Sequence, residues 1–271
     1  DAYFVKSLAR GLSVLSAYTP QRTELSLSEI ARVAGVSNPS ALRIGHTLVA
    51  LGFLSRNPIT KGYRIGPGVL KLGVASLAAM SLLDIAEPYL AQLRDRVGET
   101  VKMAVLHETE MVYVARFPAS DAPVSSTNFI GSRLPAPQTC TGRAILARLG
   151  SAEVRSIVRR SRRQRFTQKS LTAIDDILAE IAASRERGYG VNDQGTTVEH
   201  RSAAVPLVNA AGTPVAAINI SVSVQRVSRG ELEGRLVPLL METAARISAM
   251  LPPEQWQAAV RPHVDVAADG G

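Results

Sequence analysis

One stretch decides the fold of the amino-terminal part of the chain: residues 25–56, LSLSEIARVAGVSNPSALRIGHTLVALGFLSR. Ser26 with Glu29 three residues later is the pattern of a capping box, which begins a helix. Gly35 ends that helix, and Ser37 begins the next one two residues further on. Helix, three-residue turn and helix at this spacing predict a helix-turn-helix unit.

A helix before this stretch and a hairpin after it complete the unit. The periodicity predicts a first helix from Phe4 to Tyr18 with one buried apolar stripe, formed by Val5, Leu8, Leu12, Leu15 and Tyr18. In the third helix we expect an inner face of Leu42, Gly45, Leu48, Val49 and Leu51. Beyond Gly52, two strand-like segments, 53–56 and 62–65, flank turn residues and predict a wing.

The outer face of the third helix is mostly polar and carries Asn38, Ser40, Arg43, Ile44, His46 and Thr47. In a helix-turn-helix this face enters the major groove of DNA. Arg43 is the best candidate base reader, because its guanidinium can donate two hydrogen bonds to guanine; a contact to phosphate or solvent alone is the alternative. For His46 the alternative is a plain surface histidine. The wing adds the basic residues Arg56, Lys61 and Arg64, which suit the DNA backbone.

Composition agrees with a DNA-binding protein. The 271 residues carry a net charge of +8 with a pI near 10.0, and residues 1–66 hold eight basic against three acidic side chains. Aromatic residues make up only 4%, which argues against single-stranded or RNA ligands. A single cysteine, Cys140, excludes an internal disulfide framework and a Cys-rich zinc site. With no visible leader and no apolar run long enough to cross a bilayer, we expect a cytoplasmic protein with no membrane contact, cofactor or metal.

The rest of the chain alternates helical and strand-like patterns. An apolar helix over 67–81 is predicted to pair with a second copy of the chain, with packing on its own domain as the alternative. An amphipathic helix follows over 82–97. Two antiparallel hairpins and further helices then predict an α+β domain. Its predicted elements are strands 100–107 and 110–117, a loop 131–138, a helix 139–149, a polar region, a helix 173–187, a return strand ending at Pro206, strands 205–208 and 214–224, and a helix 229–251.

Together with residues 25–56, the runs SLARGLSVLSAY and GYRIGPGVLKLG resemble the winged-helix half of the IclR family of bacterial transcription regulators. Gly45 stands where that family has a bulky apolar residue, so we expect looser packing under the recognition helix. The runs LPAPQTCTGRAILA, GYGVND, AAVPL and AAINISVS resemble the family's effector domain, which has a GAF-like fold. The resemblance implies a winged helix-turn-helix DNA-binding domain at 1–66, a linker and dimerisation helix at 67–81, a GAF-like effector-binding domain with an antiparallel sheet at 82–251, and a tail at 252–271.

The resemblance also implies an effector pocket formed by Thr141, Gly142, Asn192, Ser202, Asn219 and Ser221. Free N–H groups at a helix start would favour a carboxylate, with Asn and Ser side chains orienting it. Met103 and Val105 are expected to form an apolar wall, with core packing as the alternative. Arg133 and Arg201 are expected carboxylate partners, with a surface or fold-internal salt bridge as the alternative. The phrases around Asp193 and Arg201 are similar to regulators of aromatic-acid breakdown, although residues 195–200 depart from that pattern.

The function implied by the resemblance is sequence-specific regulation of transcription under the control of a small organic acid, aromatic or dicarboxylic. The implied partners are a double-stranded DNA operator, a second copy of the chain in a dimer or tetramer, and RNA polymerase. No usual catalytic signature is present in the sequence. Two alternatives remain: a ligand sensor that acts by protein contact, and a small-molecule enzyme that uses Cys140 with His107 or His200. The arginine-rich segment 155–169 is either a solvated surface or a second phosphate or subunit contact.

Overall fold

The computed structural model describes residues 3–19, 21–78, 81–120 and 129–252. The chain divides into two compact units, Asp1–Met80 and Ser81–Gly271. No helix in the described ranges is both long and apolar enough to cross a membrane. Apart from Pro252, the predicted tail lies outside the described residues.

The first unit is a helix-turn-helix followed by a small three-stranded antiparallel sheet, in which β3 lies between β1 and β2. The predicted capping box is present, because the Ser26 hydroxyl accepts a hydrogen bond from the Glu29 amide and the Glu29 carboxylate accepts one from the Ser26 amide. Gly35 ends the second helix in the left-handed conformation. The elements are α1 (Lys6–Ser16), β1 (Glu24–Leu25), α2 (Leu27–Ala34), α3 (Asn38–Ala50), β2 (Leu54–Arg56), β3 (Tyr63–Ile65) and α4 (Gly68–Ala78).

The predicted inner faces of two helices are wrong in part. In α1 the buried residue is Val14, whereas three members of the expected stripe, Val5, Leu8 and Leu12, are more than half exposed. In α3 the inner face is Ala41, Gly45 and Leu48, with Ile44 half-buried against the same core, whereas Leu42 and Leu51 are exposed. The inner face of α3 therefore keeps Gly45 and Leu48 of the prediction and has Ala41 and Ile44 in place of Leu42 and Leu51, at the spacing i, i+3, i+4, i+7.

The second unit combines helices with one six-stranded antiparallel sheet, whose strand order is β6-β5-β4-β9-β8-β7. The predicted α+β class with a winged helix-turn-helix and an antiparallel effector sheet is therefore confirmed. Both strands of the first predicted hairpin have the bounds expected from the sequence. The elements are α5 (Ser81–Val97), β4 (Thr100–His107), β5 (Glu110–Phe117), β6 (Arg133–Pro135), a 3₁₀ turn (Ala136–Gln138), α6 (Cys140–Leu146), α7 (Ser151–Arg160), α8 (Ile174–Arg187), β7 (Gly190–Asp193), β8 (His200–Val208), β9 (Pro214–Ser223), α9 (Arg229–Glu231), a π-helical turn (Leu232–Leu236) and α10 (Val237–Ser248).

Helices cover both faces of this sheet. Helix α6 lies on one face, where Cys140 and Ala144 share a core with Ala104, Ala204 and Ala217 of the central strands. Helices α5 and α10 pack against each other and against the same strands, and they cover the other face. Because successive side chains of a strand alternate between the faces, every second residue of β4, β8 and β9 points towards α6.

Helix α7 forms where the sequence predicts only a polar region. Its buried residues are Val154, Ile157 and Val158, the spacing of one helical face, although the arginines around them obscure that pattern in the sequence. The segment expected as a loop, 131–138, contains β6 and the 3₁₀ turn. The last predicted helix is interrupted by the π-helical turn Leu232–Leu236.

Candidate functional site

The predicted DNA-reading residues lie on the solvent side of α3. Asn38, Arg43, His46 and Thr47 are exposed, and Ser40 is half-buried. The Arg43 guanidinium makes no hydrogen bond or ion pair within the described part of the chain, so its fork is free to bind a ligand. The Thr47 hydroxyl donates to the Arg43 carbonyl at 2.9 Å, and the Ser37 hydroxyl donates to that of Ser40 at 3.3 Å. Ser40 and Thr47 thus form hydrogen bonds within α3 and its N-cap, whereas the Arg43 side chain has no hydrogen-bond or ion-pair partner among the described residues.

The wing, residues 54–65, is held by one carboxylate of the first unit. Glu24 accepts hydrogen bonds from Thr60, from Asn57 at 3.0 Å and from the Arg64 guanidinium at 2.6 Å. These bonds, that from Thr60 first, lower the pKa of Glu24 to about 2. A Cβ on Gly62 would overlap the Glu24 carboxylate, so a larger residue there would have to displace this side chain from its present position.

Of the three basic wing residues, Arg64 is paired internally, and the ammonium of Lys61 donates to the Pro58 carbonyl at 2.8 Å. Arg56 lies over the Tyr63 ring, with its guanidinium carbon 5.8 Å from the ring centre. All three side chains are exposed. Each of these side chains is thus held in place by a contact within the first unit.

Packing beneath the recognition helix is tight at the position where loose packing was expected. The ring of Tyr63 lies against Gly45, and a Cβ built there would be 2.9 Å from the Tyr63 Cε1 atom. Tyr63 is buried, and the Tyr18 hydroxyl donates to its carbonyl at 3.0 Å. The aromatic ring of the wing fills the space that a bulky residue on α3 would occupy, and the expectation of loose packing is wrong.

A second candidate site lies on the sheet face beneath α6. Four predicted effector residues point to this face: Asn192, Ser202, Asn219 and Ser221. Strand pairing aligns Asn192 with Ser202 and Ser202 with Ser221 across β7, β8 and β9. Asn219 lies two residues before Ser221 on β9 and therefore on the same face. Four polar side chains in one patch beneath a buried helix form an unusual lining for a protein core.

Local contacts orient two of these side chains. The Asn192 amide donates to the Thr196 hydroxyl at 2.9 Å, and the Ser202 oxygen lies 3.1 Å from the Cys140 sulfur. Asn219 is only 3% exposed, and its Oδ1 has no hydrogen-bond partner in the described part of the chain. A buried carbonyl without a donor is costly, so this atom is a candidate ligand contact.

The start of α6 is already engaged. Thr139 caps the helix, because its hydroxyl accepts a hydrogen bond from the Gly142 amide at 3.0 Å and another from the Thr141 hydroxyl at 3.2 Å. A Cβ on Gly142 would lie 1.9 Å from the Ala136 carbonyl oxygen, so this glycine allows the close approach of the 3₁₀ turn. The Gly142 amide is committed within the protein.

Four other predicted residues lie apart from the polar patch. Met103 and Val105 alternate onto the opposite face of β4, and Met103 is completely buried there. Arg133 is exposed and pairs with Glu110, with 2.8 Å between Nε and Oε2. Arg201 pairs with Asp193, with 3.2 Å between Nε and Oδ1. Arg133 thus forms a surface salt bridge and Arg201 a fold-internal one, which is the alternative expected for each from the sequence.

Sequence reasoning missed the two cations of the patch. Lys102 on β4 aligns with Asn219 of β9 on one side and with Arg116 of β5 on the other, so all three share the face beneath α6. Lys102 is 5% exposed, and Arg116 is half-buried. Burial, followed by the charge of Arg116, lowers the pKa of Lys102 to about 8. The signal in the sequence was a lysine among the apolar residues Val101, Met103 and Ala104 of a predicted strand.

Cys140 does not have the surroundings of a nucleophile. It is 2% exposed, and burial raises the pKa of its thiol. His107 is hydrogen-bonded to Arg133 and His200 to the Val222 carbonyl. Within the described ranges, no group of three or more His, Cys, Asp or Glu side chains could hold a metal ion.

The arginine-rich segment 155–169 is exposed along most of its length. The Arg163 guanidinium donates to the Val158 carbonyl at 2.8 Å and so caps the end of α7, and the Lys169 ammonium donates to the Gln194 side chain. Part of this charge therefore stabilises the unit itself.

Both halves of the chain match known protein families. The family model described as the IclR helix-turn-helix domain matches residues 7–58, and the model described as the bacterial transcriptional regulator IclR C-terminal domain matches residues 74–249. The chain is 34% identical to the Pca regulon regulatory protein of Pseudomonas putida over 89% of this chain and 82% of that one. It is 29% identical to the p-hydroxybenzoate hydroxylase transcriptional activator of Acinetobacter baylyi, over 89% of this chain and 90% of that protein.

A solved structure of an IclR homologue also matches this chain. An IclR homologue from Microbacterium hydrocarbonoxydans, crystallised in complex with 4-hydroxybenzoate, has a TM-score of 0.75 and 26% identity, covering 90% of this chain and 98% of that one. A winged helix-turn-helix unit joined to a separate sheet unit defines the class of DNA-binding transcriptional regulators. The chain belongs to the IclR family of that class. The resemblance to regulators of aromatic-acid breakdown is confirmed at the level of these relatives.

Proposed function

We propose that this transcriptional regulator is controlled by a small organic acid, most simply an aromatic one, bound beneath α6. The observation that carries the proposal is the polar patch formed by Asn192, Ser202, Asn219 and Ser221, in which the two asparagines are buried and the two serines half-buried. Polar side chains in a core need partners, and the Oδ1 atom of Asn219 has none among the described residues. A bound small molecule would supply one. The 4-hydroxybenzoate complex of the Microbacterium homologue and the names of the two relatives favour an aromatic acid.

On the DNA side, the proposed base readers are Arg43 with Asn38, Ser40, His46 and Thr47. The free guanidinium of Arg43 suits a guanine edge in the major groove, since it can donate two parallel hydrogen bonds. Arg56, Lys61 and Arg64 contact phosphates and supply affinity that depends on salt more than on sequence.

A second copy of the chain is the proposed partner of the first unit. Val5, Leu8 and Leu12 form one exposed apolar stripe on α1, and Leu70 and Val74 lie one turn apart and exposed on α4. Exposed apolar faces of this kind mark protein interfaces, and a regulator that reads two half-sites needs a dimer. The acid would act by binding one arrangement of the paired DNA-binding units more tightly than another, since only differential affinity shifts such an equilibrium. RNA polymerase is a further proposed partner at the promoter.

The test uses the full chain and an operator selected from a random pool of duplex DNA. Fluorescence anisotropy measures operator affinity with and without 4-hydroxybenzoate and protocatechuate. We expect one acid to change operator affinity at least fivefold, the lower end of ordinary allosteric coupling. Asn219→Leu should remove this response and leave DNA binding intact. An unchanged response would remove Asn219 from the ligand site.

The same assay tests the DNA contacts. Arg43→Ala should reduce the preference for operator over random DNA by about tenfold, because one bidentate base contact contributes roughly 1–3 kcal/mol of discrimination. Arg159→Ala, which removes an exposed arginine from the second unit, is the matched control and should keep the preference. Equal losses on operator and random DNA for Arg43→Ala would make Arg43 a phosphate contact. A chain that selects no DNA at all would support the alternative of a sensor that acts by protein contact.

A further inference from the structure

Lys102 and Arg116 place two positive charges in the second unit without a negative partner. Lys102 is almost completely buried, and strand pairing sets Arg116 directly opposite it on β5. No ion pair joins either side chain to a carboxylate in the described part of the chain, and the Nε atom of Arg116 is buried without a hydrogen-bond partner. Removing an unpaired ammonium group from water is strongly unfavourable, and a second cation beside it adds repulsion.

The other neighbours of Lys102 do not neutralise it. The Lys102 Nζ atom lies 5.8 Å from the centre of the Tyr113 ring, which gives a weak attraction. Cys140 of α6 also lies near, but burial raises the pKa of its thiol, so the thiol stays protonated at neutral pH. Buried charges in proteins are normally paired, and an unpaired one marks a functional site.

A hydrogen-bond acceptor without a donor lies next to this positive charge. Asn219 aligns with Lys102 across β4 and β9, and its Oδ1 atom is the buried acceptor described above. A ligand that satisfies this group must bring an O–H or N–H donor. One ligand with an anionic group and a hydrogen-bond donor would satisfy both the positive charges and the Asn219 Oδ1 atom.

We propose that Lys102, supported by Arg116, binds the carboxylate of the effector, and that Asn219 accepts a hydrogen bond from a hydroxyl group of the same molecule. The ligand class is thus a hydroxy-carboxylate, and its negative charge is bound by residues of β4 and β5. This inference rests on the proposed function, because it specifies the ligand of the same site. It makes Lys102 and Asn219 the specificity-determining residues of that site.

The experiment compares ligands that differ by one group. Isothermal titration calorimetry with the full chain measures the affinity of 4-hydroxybenzoate, protocatechuate and shikimate, each beside its neutral primary amide. We expect at least one acid to bind ten to a hundred times more tightly than its amide, the range for a hydrogen bond to a charged group. Benzoate tests the hydroxyl contact and should bind about tenfold more weakly than 4-hydroxybenzoate if that acid is the ligand; for another ligand, the analogue lacking its hydroxyl takes this place.

Two variants assign the contacts. Lys102→Met should bring the affinities for acid and amide within about threefold of each other. Arg159→Met removes an exposed positive charge from the same unit and should keep the acid preference. Asn219→Leu should remove the preference for the hydroxylated acid and keep the preference for acid over amide. Lys102→Arg retains the charge and should restore part of the acid preference.

The outcomes separate this inference from the proposed function. If an acid alters operator binding but the Lys102→Met variant keeps its preference for acid over amide, the inference is overturned and the proposed function stands. Equal binding of acid and amide by the wild-type chain overturns the inference without any variant, and so does the absence of binding by all three acids. If in addition no acid alters operator binding, the proposed effector control fails as well.

Discussion

Replacing Lys102 with Met should stabilise the ligand-free protein, which is an unusual result for a buried position. The pKa of Lys102 is lowered from 10.5 to about 8, and burial is the largest cause. At 1.36 kcal/mol per pH unit, holding this ammonium charged costs the folded state about 3 kcal/mol at pH 7. Methionine has a similar length and no charge, so Lys102→Met should recover a large part of that free energy. For a unit of this size the midpoint of thermal unfolding should rise by roughly 5–10 °C.

The sign of the pH dependence distinguishes this cause from a simple packing effect. Because the folded-state pKa lies below the unfolded value, the penalty is complete below pH 8 and disappears as the pH rises towards 10.5. The stability difference between Lys102→Met and wild type should therefore be constant from pH 6 to 7.5 and shrink above pH 8. The titratable and charged groups that face Lys102 are Arg116 and Tyr113 of β5 and Cys140 of α6. All three are present in both proteins, so the difference isolates Lys102.

Urea unfolding followed by circular dichroism between pH 6 and 10.5 measures this difference. Arg159→Met is the control and should stay within about 0.5 kcal/mol of wild type, as surface substitutions usually do. A saturating hydroxy-carboxylate should narrow the gap, because it stabilises wild type more than the variant. A destabilised Lys102→Met at pH 7, or a difference that does not change with pH, would refute the reasoning.

Three further predictions concern other parts of the molecule. Gly45→Ala places a Cβ 2.9 Å from the Tyr63 ring and should destabilise the first unit by about 1–3 kcal/mol, whereas Gly11→Ala, with open space in α1, should be neutral or slightly stabilising; thermal unfolding of both variants checks this. Glu24→Gln should loosen the wing and weaken DNA binding. Because the pKa of Glu24 is lowered to about 2, its contribution to stability is present above pH 4.5 and is lost as the pH falls through 2, so the wild-type advantage in unfolding temperature should vanish in acid. Cys140 should resist iodoacetamide at pH 8 in the folded chain and react after unfolding in urea, since it is buried and its pKa is raised; rapid modification of the native protein would revive the enzyme alternative.

Local patterns in the sequence predicted several elements closely. The capping box at Ser26 and the hairpin of β4 and β5 are read from neighbouring residues, because caps and tight turns depend on chemistry within a few positions. Helix α7 was missed because its three buried residues are surrounded by arginines. Strand β1 has only two residues and exists because β3 lies beside it. A strand this short has no periodicity of its own to detect.

The candidate site likewise combines residues that the sequence predicted with residues that only the fold brings together. The sequence by itself determined the family and the two-part organisation through its motifs, and the resemblance to that family pointed to the polar residues Asn192, Ser202, Asn219 and Ser221. Only the tertiary structure decided which residues share a face: it sends Met103 to the opposite side of the sheet and brings Lys102 and Arg116 to the patch. The register of β4 against β5 and β9 joins segments that are far apart in the chain, and strand pairing at such separations is a property of the folded sheet. Whether a charge is buried or solvated, and hence whether it calls for a ligand, depends on that pairing.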